Sequence, residues 1–104
     1  MDGAFGRFVE PSLHVLVALE AGPRDGIGIL TAVERLLGVP IGAGTLYGAL
    51  ARLESTGLIV ADPDGGRRRA YRLSDAGRAE VQTRRPALDR ARASRLLAIE
   101  GGIR

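Results

Sequence analysis

The sequence contains no cysteine, no lysine and no tryptophan, and one histidine among 104 residues. Without thiols it can form neither a disulfide nor a thiolate metal site, and His14 alone cannot assemble a metal centre. His14 sits inside an apolar run, where a histidine satisfied by its neighbours is the ordinary case rather than a ligand. Other parts an enzyme would need are missing too: no glycine-rich loop of phosphate-binding spacing leads into a lysine, and the carboxylates are scattered over polar faces. No catalytic residue, metal or cofactor is therefore expected. Two tyrosines and two phenylalanines are the whole aromatic content, which gives poor support for a stacking pocket. No stretch approaches the ~20 apolar residues needed to span a bilayer. The longest, Leu13 to Leu19, is broken by His14 and lacks a basic leader and a cleavage site, so a cytoplasmic location with no membrane partner is expected.

What the chain has instead is arginine, which supplies all 15 of its basic residues against 12 acidic ones, a net charge of +3. The distribution says more than the total. Residues 1–61 carry four arginines against six Asp or Glu, net −2, whereas residues 62–104 carry eleven against six, net +5. A positive surface concentrated in one part of a chain is what contact with a polyanion requires. The length allows one domain with a modest core, burying about 65% of the unfolded surface.

The most informative stretch is Gly44-Thr45-Leu46-Tyr47-Gly48-Ala49-Leu50-Ala51-Arg52-Leu53-Glu54-Ser55-Thr56-Gly57-Leu58-Ile59. Leu46, Leu50 and Leu53 fall on one stripe of a helix that must be buried, and Gly57 supplies its left-handed stop. Thr45, Gly48 and Arg52 share another face that is lean and polar. A helix with such a face can bring its backbone close to a partner, and the major groove of DNA is wide enough to admit it. Leu58-Ile59-Val60-Ala61, a turn at Asp62-Pro63-Asp64-Gly65-Gly66 and a strand at Ala70-Tyr71-Arg72-Leu73 then form a hairpin with Arg67, Arg68 and Arg69 at its tip. Strand alternation would place Arg67 and Arg69 on one face and Arg68 on the other, with one of the three paired to Glu54 or Asp62.

Upstream, Pro11 suits the first turn of a helix whose nearly all-round apolar character, through Ala21, marks it as central; Gly22-Pro23 stops it. Asp25 is placed to cap a second helix, Gly26 to Leu37, with Ile27, Leu30, Val33 and Leu37 as its inward face. Val39-Pro40-Ile41 links it to the third, whose free N-terminal amides at Gly42-Ala43-Gly44 would be donors for a phosphate. Tyr47 can pack its ring and offer its hydroxyl. Ser74 caps a last helical region, which Pro86 either kinks or divides. Beyond it Ala87, Ala91, Ser94 and Ala98 form a seam of small residues flanked by Leu88, Leu96 and Ile99, and Gly101-Gly102 suggest a frayed end.

Gly44-Thr45-Leu46-Tyr47, Leu50, Arg52-Leu53-Glu54 and Gly57-Leu58-Ile59, followed in order by Arg68-Arg69, Tyr71-Arg72-Leu73-Ser74 and Gly77-Arg78, resemble the PadR family of bacterial transcriptional regulators. The similarity runs from about Leu13 to Arg78. It departs from the family at Asp25-Gly26-Ile27, where His-Gly-Tyr is common, and at Gly48, where proline is common. The resemblance implies a mainly α fold with a small β-hairpin: an N-terminal arm (1–10), a winged helix-turn-helix domain (11–78) and a C-terminal helical dimerisation segment (79–104). Gly42, Gly44, Thr45, Tyr47, Gly48, Arg52, Arg67, Arg68 and Arg69 are then the candidate DNA contacts, and Ala87, Leu88, Ala91, Leu96 and Ile99 the candidate dimer contacts. The implied function is a homodimeric repressor of a pseudo-palindromic operator in double-stranded DNA, answering to a small hydrophobic effector. The alternative is a winged-helix protein–protein interaction module that no longer binds specific DNA, which the sparse base-reading face favours and the wing arginines oppose.

Overall fold

Pro11 opens the first helix, α1 (Pro11–Ala18), at a position where its missing N–H costs nothing. The computed structural model describes residues 11–64 and 66–103, and the side chains of all of these except 67, 91, 92 and 95–103; the expected N-terminal arm lies outside the described residues. Ser12, His14, Val15, Leu16 and Ala18 are buried, as is Leu19 in the 3-10 turn that follows (Leu19–Ala21). Burial on nearly every side agrees with the central helix expected from the run's composition.

After Gly22 and Pro23 the chain does more than stop. Arg24 pairs antiparallel with Tyr71, its N–H donating to the Tyr71 carbonyl at 3.1 Å and its carbonyl accepting from the Tyr71 N–H at 2.8 Å. This one-residue third strand ties the loop to the hairpin. Asp25 then caps α2 (Gly26–Leu37), its carboxylate accepting from the Gly28 N–H at 2.8 Å. The inward face is corrected by one step: Ile29, Val33 and Leu37 are buried with Gly26, Leu30 is half-buried, and Ile27 is 69% exposed. Gly26 takes the inward position of the first turn because the Tyr47 ring occupies the space there; a Cβ on residue 26 would lie 2.5 Å from the tyrosine oxygen.

The turn into α3 (Ala43–Ser55) is braced by Glu34, whose carboxylate accepts from the Ile41 N–H at 3.0 Å. Leu46, Ala49, Leu50 and Leu53 are buried, so the leucine stripe faces the core as expected. Gly57 ends the segment at φ 79°, a conformation other residues adopt only with strain.

The wing consists of β1 (Ile59–Ala61) and β2 (Tyr71–Leu73), antiparallel with Ile59 opposite Leu73 and Ala61 opposite Tyr71. Ile59, Tyr71 and Leu73 point into the core, while Val60 and Arg72 face out. Each strand is a residue shorter than expected. Gly66–Arg68 form a 3-10 turn, so strand alternation does not govern the three arginines.

Ser74 caps α4 (Asp75–Ile103): its hydroxyl accepts from the Gly77 N–H at 3.0 Å and donates to the Gly57 carbonyl at 2.6 Å. Gly77 explains itself here, because a Cβ would overlap the Leu58 carbonyl oxygen. Of the two alternatives at Pro86, division of the helix is ruled out, since it runs on through Pro86 and through Gly101-Gly102. Pro86 removes one backbone donor without ending the run. Val81 is fully buried, and beyond it no described side chain as far as Ser94 is buried. At 1.5 Å per residue α4 is roughly 43 Å long, which accounts for most of the 53 Å long axis of the molecule.

Candidate nucleic-acid interface

The stripe of α3 opposite its leucines consists of Gly44, Gly48, Ala51 and Ser55, all exposed except the half-buried Gly48. Thr45 and Arg52 flank it on one side, Tyr47 and Glu54 on the other, and all four are exposed. Gly42 caps the helix in an extended conformation without a side-chain cap, and among the described residues no side chain accepts from the first-turn amides. With Gly42, Ala43, Gly44 and Thr45 all exposed, those N–H groups and the positive end of the helix dipole face solvent.

The larger side chains are already engaged within the chain. Tyr47, 47% exposed, lays its phenol against Gly26 at the start of α2. Arg52 turns back along α3, with its Nη1 3.8 Å from the point a Cβ on Gly48 would occupy, and its Nη2 donates to Ser12 Oγ on α1 at 3.2 Å.

The wing tip comes alongside the C-terminal part of α3. Arg69 stands 5.5 Å above the centre of the Tyr71 ring and 4.0 Å from the Glu54 carboxylate, which realises the expected pairing with Glu54. Its guanidinium is held still more firmly protonated than usual, first by the Tyr71 hydroxyl and to a smaller extent by Glu54. Arg68 and Arg72 are exposed and have no acidic partner among the described residues; the Arg67 side chain lies outside the described ones. Farther along, three arginines are paired: Arg78 with Asp75 at 3.6 Å, Arg84 with Glu80 at 3.0 Å, and Arg85 with Glu20 across the fold.

Sequence reasoning missed Ser12, Gly26 and Arg24. Nothing local marks Ser12 as a partner for an arginine 40 positions away. Gly26 had a signal in hindsight, as a glycine just inside a capped helix start where a side chain would normally be favoured. Among the described residues no group of three His, Asp or Glu is placed to hold a metal ion, and no helix is long and apolar enough to cross a membrane.

Three helices around one core, the third exposed along one side and followed by an arginine-tipped hairpin, define a winged helix-turn-helix protein. The transcriptional regulator PadR-like family matches residues 15–83, and the chain belongs to that family. Its regulators are DNA-binding transcription factors, not enzymes. Transcriptional regulator Rv3488 of Mycobacterium tuberculosis is 46% identical over 80 residues, 74% of each chain. An uncharacterized 37.1 kDa protein in transposon TN4556 of Streptomyces fradiae is 44% identical over 69 residues, 66% of this chain; the match spans only 20% of that protein's length. Among solved structures, a PadR family transcription regulator from Clostridium difficile R20291 superposes with a TM-score of 0.68 at 23% identity, covering 86% of this chain and 97% of its own. Bacillus subtilis PadR, solved in complex with operator DNA, gives 0.58 at 23% identity, covering 69% of this chain and 44% of its own.

Proposed function

We propose that the protein is a homodimeric repressor that binds a pseudo-palindromic operator in duplex DNA through α3 and the wing. The observation that carries this reading is the sidedness of α3: four buried apolar residues on one side, and on the other a face of glycine, alanine, serine and threonine beside exposed arginines. Gly42, Gly44, Thr45 and Gly48 let the backbone approach the major groove, with the first-turn amides toward a phosphate and Tyr47 at the edge. Arg67 and Arg68 hold the sugar–phosphate backbone at the wing tip. Arg69, bound to Glu54 and Tyr71, braces that tip.

The dimer is supported by α4. A polar helix that runs past Val81 without burying another described side chain before Ser94 is only marginally stable in water by itself. Ala87 is exposed and Leu88 half-buried on this stretch, where a second copy would cover them; the side chains of Ala91, Leu96 and Ile99, the other expected dimer contacts, lie outside the described ones. Two heads related by a dyad then meet half-sites about 34 Å apart. A small hydrophobic effector that changes the distance between the heads completes the scheme.

The second reading, a winged helix that binds protein, is favoured by the shortage of base-reading side chains on α3. A gel shift against duplex DNA from upstream of the protein's own coding sequence separates the two. Retarded complexes at low salt that persist against competitor DNA support the repressor; no shift supports the protein-binding module.

A further inference from the structure

We propose that Arg52 is a positioning residue for DNA recognition: by holding Ser12 it fixes the seating of α3 on α1, and it does not itself touch the duplex. The proposal rests on the DNA-binding reading above and gives one residue of that site a different task. Arg52 lies on the flank of α3 where a groove-reading side chain is expected. Its guanidinium is nevertheless folded over Gly48 and donates to Ser12 Oγ at 3.2 Å, across 40 positions of sequence. A Cβ at residue 48 would lie 3.8 Å from Nη1, in ordinary contact, so this path does not depend on glycine there. Ser12 is buried, 8% exposed, in the first turn of α1. For Arg52 to reach a base edge it would have to abandon this buried hydroxyl and strip it of its donor, which opposes the movement.

The position of the contact gives it consequence. Past the opposite end of α1, in the 3-10 turn that continues it, Glu20 pairs with Arg85 of α4. One end of α1 therefore holds the recognition helix and the other holds the long C-terminal helix, so Ser12 and Arg52 fix how α3 is presented relative to the rest of the molecule.

The test compares Ser12→Ala with Arg52→Ala, using duplex DNA from upstream of the protein's own coding sequence, well below each variant's melting temperature. Ser12→Ala leaves Arg52 intact and suits a helix. Both changes are expected to weaken binding by roughly fivefold, the worth of one net hydrogen bond. The slope of log affinity against log salt should stay at the wild-type value, and the double variant should be no weaker than either single one. Arg52→Ala lowering that slope by about 0.9 per bound chain, with Ser12→Ala binding like wild type, would make Arg52 a phosphate contact and overturn the proposal. Lower melting temperatures with unchanged affinity would reduce the contact to a structural role and overturn it as well. A wild-type chain that binds no duplex sinks the DNA reading; the strap between Ser12 and Arg52 is then decided by thermal melts alone, non-additive losses upholding it and additive losses refuting it.

Discussion

Replacing Gly77 by alanine tests the junction on which the fold depends. A Cβ at this position would overlap the Leu58 carbonyl oxygen and lie 3.1 Å from both the Leu58 carbonyl carbon and Leu73 Cδ2, where carbon atoms ordinarily approach no closer than about 3.5 Å. The obstacle is backbone, so no side-chain rotation relieves it. Swinging the first turn of α4 away would break the Ser74 N–H to Leu58 carbonyl bond (3.1 Å) and the Ser74 hydroxyl to Gly57 carbonyl bond (2.6 Å), each worth about 1 kcal/mol. Overpacking left after such relaxation adds roughly 1–3 kcal/mol, while the better helix propensity of alanine returns about 1 kcal/mol. The net expectation is a loss near 3 kcal/mol, which lowers the melting temperature of a domain this size by about 15 °C. Thermal unfolding followed by circular dichroism measures it. A melting temperature at or above that of the wild type would refute the claim that glycine is present here for room.

The matched substitution at Gly48 should act in the opposite direction: a Cβ there meets only the Arg52 guanidinium at 3.8 Å, so Gly48→Ala should stabilise by up to about 1 kcal/mol, read from the same melts. Leu50, 1% exposed in the core, should not tolerate aspartate, because an unpaired buried charge has no compensation; a cooperative melt of Leu50→Asp would show that the faces of α3 are reversed. Replacing Arg67 and Arg68 together by alanine should flatten the salt dependence of duplex binding by about 1.8 units in the log–log slope per bound chain. Arg69→Ala should leave that slope unchanged and instead quicken amide exchange in β1 and β2, since Arg69 is committed to Glu54 and Tyr71.

The parts legible in the sequence are those set by local chemistry. The leucine stripe of α3, its stop at Gly57 and the caps at Asp25 and Ser74 follow from helical spacing and from which side chains can satisfy a first-turn amide. What escaped was decided by distant residues. Ile27 looked like an inward residue because it is apolar, but Tyr47 claims the space above Gly26 and sets the rotation of α2. Gly22-Pro23 read as a break because one residue of pairing, Arg24 with Tyr71, leaves no periodicity to see. The wing arginines were assigned strand alternation, yet the chain turns through Gly66–Arg68 before β2 begins. Within the candidate site, the exposed face of α3 was visible from spacing, while the engagement of Arg52 by Ser12 was not.

The same junction bears on how the two heads of the proposed dimer could be set. The end of α3, the start of β1 and the start of α4 meet at Gly57, Leu58 and Ser74, through three bonds made by Ser74 to Gly57, Leu58 and Gly77. A hinge at this point would have to break these bonds and withdraw Val81 from the core, where it is fully buried. Farther along, the Glu20–Arg85 pair ties α4 to the 3-10 turn that follows α1. Local opening is easiest where few buried contacts resist it, and on α4 that condition is met only after Arg85, with Pro86 supplying the missing backbone donor. An effector that alters the spacing of the heads should therefore act on the stretch from Pro86 onward and leave the angle between α3 and the first turns of α4 unchanged. Amide exchange distinguishes this from a hinge at Ser74: protection at Gly77, Arg78 and Val81 should stay constant when effector is added, and its loss there would place the hinge at the junction instead.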